Sequence, residues 1–190
     1  MINRCPGCGS MKTEHKNPRT YRYRESGLNN IVLHGGVTQV VCRECGEVFF
    51  RIEREQQLLQ VIALMLLMKP GYLTGPEMRC LRKTAQLSQS NLASRLGVQR
   101  RETIAERESK AEPGLDPGAE LLLRGVLLRA FSEYVSEKEN DHLERVHHKK
   151  LESFAKDFLE VIDRIGARGQ KKAFAIRQIE NAWEPELMSV

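Results

Sequence analysis

Four cysteines stand in two matched pairs, Cys5-Pro6-Gly7-Cys8-Gly9 and Cys42-Arg43-Glu44-Cys45-Gly46. Two intervening residues allow both thiolates of a pair to reach one ion. A glycine after each pair can take the turn that aims backbone amides at sulfur without a Cβ clash. Four thiolates make a closed tetrahedral set, which suits structural zinc and leaves no coordination position for catalysis. The expected ligands are therefore Cys5, Cys8, Cys42 and Cys45. The 33 residues between the pairs would be closed into a loop by the metal, so binding and folding of this segment would be linked.

Iron is the competing metal, because rubredoxins hold one redox iron in the same pair of knuckles. Such modules have an aromatic core, and this segment offers mainly Tyr21, Tyr23, Phe49 and Phe50. Disulfides are the other use of cysteine. The N-terminal residues lack a secretory apolar stretch, so a cytoplasmic location is expected, where thiols stay reduced. Cys80 lies within a helical pattern beside Met78 and Leu81 and reads as a small buried hydrophobe. His15 and His34 are possible substitute ligands that nothing requires, and His147-His148 beside two lysines reads as a solvated helix face.

A second constellation spans Leu87 to Val98. Ser88 is a helix N-cap, and Gln89 opens the helix where side chain and free amides could reach a phosphate. Leu92, Ala93 and Leu96 face inward, Gly97 makes a turn, and Val98 plugs the core. A helix following such a turn can enter the DNA major groove with its first residues towards base edges. Those residues are Gln99, Arg100, Arg101, Glu102 and Thr103; arginine suits guanine and glutamine suits adenine. The charge pattern agrees. Residues 79–110 carry eight Lys/Arg against three Asp/Glu, whereas residues 111–190 carry twelve against fifteen. A basic middle and an acidic C-terminal part point to a polyanion partner for the middle alone.

The stretch from Glu77 to Leu128 resembles the Xre-type helix-turn-helix. It departs from that pattern in one extra residue between Gly97 and Glu108, in Glu106 where an arginine is common, and in Arg107 at a buried apolar position. Paired Cys-x-x-Cys-Gly knuckles before an Xre-type domain make residues 1–130 resemble the YgiT/MqsA family of zinc-finger/helix-turn-helix proteins, which includes bacterial type II antitoxins. The resemblance implies a structural zinc module offering a surface to a cognate toxin. It also implies a homodimeric domain that represses its own operon by binding an operator palindrome. The family's base-contacting asparagine and arginine fall at Glu102 and Glu106 and do not carry over. Gln89, Gln99, Arg100, Arg101 and Thr103 are the expected DNA contacts in their place.

The elements expected to position these residues follow from composition. Residues 1–52 read as a β-rich metal module, with strands at Tyr21–Arg24, Ile31–Leu33 and Val37–Val41 separated by turn residues at 26–30 and Gly35-Gly36. Residues 53–73 are a connecting helix, apolar on nearly all sides and stopped by Lys69-Pro70-Gly71. Residues 74–136 hold the helix-turn-helix domain. Its helices are expected over 75–86, 88–96, 100–108 and 119–136, the first opened by a Thr74/Glu77 capping box and the last by Asp116-Pro117. Residues 137–190 are expected to be a helical extension, with a seam at Leu151, Phe154, Phe158, Val161 and Ile165 and a short last helix near Trp183. The class is α+β. A hydrophobic fraction of 41% supports packed cores, and no apolar run is long enough to span a bilayer. With no nucleophile motif or phosphate-cradling glycine loop, the sequence does not read as an enzyme. Three readings stand: a DNA-binding regulator, a protein-interaction module that no longer reads DNA, and a rubredoxin-like electron carrier.

Overall fold

The computed structural model describes residues 4–112, 115–137, 174–179 and 182–185. In chain order these form β1 (Thr13–Lys16), β2 (Thr20–Arg22), β3 (Ile31–His34), β4 (Val37–Cys42), β5 (Val48–Ile52), α1 (Glu55–Leu67), α2 (Gly75–Thr84), α3 (Gln89–Arg95), α4 (Arg101–Ser109), α5 (Pro117–Glu137), β6 (Phe174–Ile179) and β7 (Ala182–Pro185). The fold is mixed α and β, with two sheets and five helices among the described residues. The chain divides into two compact units, one of residues 1–61 with 172–190 and the other of residues 62–171. α1 begins in the first and ends in the second.

The first unit holds both sheets. One has the order β1-β4-β5, all antiparallel, with Val40 of the central strand opposite His15 and Phe49. The other has the order β2-β3-β6-β7. Its core comes from the alternation of β3, where Ile31 and Leu33 are buried and Val32 and His34 are half-buried. Strands lie at or near the expected segments, although Tyr23 and Arg24 fall beyond β2, and residues 1–52 contribute strands to two sheets.

The C-terminal expectation is corrected. Residues near Trp183 form a strand hairpin, β6–β7, where a short helix was expected. β6 lies parallel to β3, with Leu33 opposite Ile176. The edge of β3 offers a row of backbone partners and an apolar face for Ala175 and Ile176, and such pairing overrides local helical preference. The 151–165 seam and His147-His148 lie outside the described residues.

The second unit is helical where described. Ser88 caps α3 by accepting the Asn91 amide at 3.0 Å, and Asp116 caps α5 by accepting that of Ala119 at 3.0 Å. Glu77 reaches back to the Thr74 amide at 2.8 Å and also pairs with Lys69. Two buried ion pairs were not foreseen. Arg82 of α2 binds Glu108 of α4. Arg124 of α5 binds Glu120 and donates to the carbonyls of Leu67, Lys69 and Gly71 at 2.8, 2.8 and 2.5 Å. Arg124 thereby takes up carbonyls at and beyond the end of α1 that the helix cannot itself satisfy. Glu120 completes the arrangement by accepting the Leu73 amide at 2.9 Å.

Candidate functional site

The two cysteine knuckles have the same backbone. The amide of Gly9 donates to the Cys5 carbonyl at 2.9 Å, and that of Gly46 to the Cys42 carbonyl at 3.0 Å. The amide of Cys5 donates to Ser10, and that of Cys42 to Glu47. Both glycines have φ of +74°, a left-handed turn that other residues adopt at a cost. The strand pairing of β1 with β4 sets Thr13 opposite Cys42 and so brings the first knuckle beside the second. Three contacts tie them: the Arg43 amide to the Lys12 carbonyl, Lys12 to Glu44, and Arg43 to Glu14.

The four sulfurs lie within 4.8 Å of one another. Cys5 Sγ is 3.5 Å from Cys45 Sγ, and Cys8 Sγ is 3.6 Å from Cys42 Sγ. A tetrahedron of thiolates about 2.3 Å from a zinc ion has edges of about 3.8 Å, so the donor set fits one ion. Cys5 and Cys42 are buried while Cys8 and Cys45 are exposed, which puts the centre at the surface of its unit. The Cys42 thiol is drawn down to about 7, first by the Cys45 backbone N–H and, against burial, by that of Glu44. Cys80 stands apart. Burial pushes its thiol up to about 11, as expected of an inert core residue.

The residues singled out in the helical unit share one region but differ in availability. α3 ends in a tight turn at Gly97 (φ +67°), closed by the Val98 amide donating to the Ala93 carbonyl at 2.9 Å. Leu92 and Ala93 are buried, while Leu96 and Val98 are half-buried. α4 then presents Ile104 and Glu108 inward. Gln99, Arg100 and Arg101 are exposed at its start, and Thr103 is half-buried. Arg101 pairs with Glu102 at 3.0 Å. The Glu102 carboxyl is held below its ordinary range by its own backbone N–H and by Arg101. Glu102 and Glu106, four residues apart, are both exposed. Gln89 is half-buried and donates to Glu108 at 2.9 Å, so its amide group is engaged within the unit.

Sequence reasoning missed Arg82, Glu108, Glu120, Arg124 and Trp183 as positioning residues. The Glu120 and Arg124 spacing of four within a strongly apolar helix was a legible signal of a buried pair. Nothing local marked the others. Comparison with protein-family models, with curated proteins and with solved structures finds no match to this chain. None of the helices among the described residues is long and apolar enough to cross a membrane.

Proposed function

We propose that this protein is a zinc-stabilised, sequence-specific regulator that binds duplex DNA as a homodimer and has no enzymatic activity. The observation that carries the reading is the turn at Gly97 followed by the exposed Gln99, Arg100 and Arg101 at the start of α4. In a helix-turn-helix, that is the end of the recognition helix that meets base edges. The cation excess of residues 79–110 supplies the sequence-independent attraction to phosphate. Zinc is the metal assigned to Cys5, Cys8, Cys42 and Cys45, since a closed thiolate tetrahedron matches an ion without redox or geometric demands of its own. Its part is to hold the β-rich unit, and an antitoxin-type role with a toxin bound to that unit follows the family resemblance.

A second reading is favoured by Glu102 and Glu106, whose charges would face phosphate unfavourably on the exposed side of α4. On it, the helical unit binds a basic protein partner instead of DNA. Selection of the zinc-loaded protein against a randomised duplex pool separates the two. The DNA reading expects enrichment of a two-fold symmetric motif. A folded protein that enriches no sequence, while copurifying from its host with a basic protein, would support the second reading.

A further inference from the structure

The antiparallel hairpin of β4 and β5 has different chemistry at its two ends. Its turn carries Cys42 and Cys45, half of the metal-ligand set. At its open end the Glu53 amide donates to the Gly36 carbonyl at 3.0 Å, one step beyond the Val37–Ile52 pair. That open end is the seat of Trp183. The indole is 1% exposed, and its N–H donates to the Glu53 carbonyl at 2.6 Å. Gly36 has φ of +63°, and a Cβ placed there would stand 2.6 Å from the indole ring. Gln178 of β6 adds a hydrogen bond to the Glu53 carboxylate at 2.9 Å.

We propose that metal occupancy of the four-cysteine centre governs docking of the C-terminal β6–β7 hairpin, with Trp183 as the latch. The inference rests on the metal-binding reading above. The seat is made of one atom group from each side of the hairpin's open end, the Gly36 α-carbon just before β4 and the Glu53 carbonyl just after β5. It exists only while the two strands keep register and twist to their ends. The metal adds to the Arg43–Lys12, Lys12–Glu44 and Arg43–Glu14 contacts that tie the hairpin's turn to the first knuckle, so its loss loosens the two strands at the end opposite the latch. The latch itself closes a contact between residues 130 apart in sequence. Such a contact carries a loop-closure cost, which leaves it sensitive to small distortions of its seat. The reverse holds by linkage, because whatever metal does for the latch, the latch does for metal.

Trp183 is the chain's one tryptophan, so its emission reports the latch directly. The test uses the full chain loaded with zinc and then stripped with a chelator, following tryptophan emission, acrylamide quenching and helical circular dichroism together. On stripping, the emission is expected to move to the red and quenching to rise several-fold, with helical dichroism retained; zinc should restore both. Gly36→Ala is expected to show red-shifted emission even with zinc bound. It should lose zinc to a competing chelator on the order of tenfold more readily. Trp183→Leu, which needs no emission readout, is expected to lose zinc with the same increased ease. Emission that is unchanged by stripping would overturn the coupling, as would a shift accompanied by loss of the helical signal. A chain that takes up no zinc at all would remove the metal reading itself, and the latch proposal with it.

Discussion

Arg82 and Glu108 form a two-pronged buried ion pair, with Nε and Nη2 of the arginine donating to separate carboxylate oxygens at 2.5 and 2.9 Å. Arg82 spends a further N–H on the Leu87 carbonyl at 2.7 Å, and Glu108 accepts from Gln89. One side-chain cluster thus joins α2, the start of α3 and α4, and so fixes the orientation of the helix that bears Arg100 and Arg101.

Removing one member leaves the other charge buried without its partner. Glu108→Ala is expected to destabilise the helical unit by about 3–5 kcal/mol in urea unfolding. The paired change Arg82→Met with Glu108→Leu removes both charges and should recover most of that loss. A Glu108→Ala protein as stable as the parent would show that the pair does not hold α4 in place.

Metal retention should depend on pH with a definite sign. Protons compete with metal for thiolates, so the affinity for zinc falls as protons are added. In a chelator competition, zinc is expected to be held more tightly at pH 8 than in acid, its apparent affinity falling steadily as pH is lowered. Cys42→Ser should remove stoichiometric binding. Zinc retention that is flat with pH, or unaffected by this substitution, would rule out four-thiolate coordination.

Cys80 provides a pH test of the other sign. Its thiol is neutral in the fold and pushed up to about 11 by burial, above its value in the unfolded chain. The stability it contributes is therefore complete below about pH 9 and declines as pH rises towards about 11. Cys80→Ala should flatten that decline, measured as unfolding midpoint against pH. In the parent protein Cys80 should also resist alkylation at pH 8 until the chain unfolds. Prompt labelling of Cys80 in the folded state would contradict its placement.

Local rules made much of this molecule legible in advance. The cysteine pairs with their glycines, Ser88 and Asp116 as caps, Gly97 as a turn and Pro70 as a stop each act over a few residues. The elements they bound appear within a few residues of the expected positions. What escaped notice depends on distant partners. Nothing near Ala175 and Ile176 shows that β3, far earlier in the chain, offers β6 an edge. Similarly, Gln89 looks free at a helix start until Glu108 folds beside it. The Gly35-Gly36 pair was legible as a break between strands, but not as the seat of an indole.

Sequence-specific DNA binding is tested most directly by the affinity of the zinc-loaded chain for a selected duplex and a scrambled one, followed across salt. Log affinity is expected to fall linearly with log salt for both duplexes. The selected sequence should be held roughly 10³-fold or more tightly at moderate salt. Arg100→Ala should erase much of that preference, by about 1–3 kcal/mol, if this guanidinium reads a base. Equal affinity for the two duplexes at every salt concentration, or no binding even at low salt, would contradict sequence-specific DNA binding.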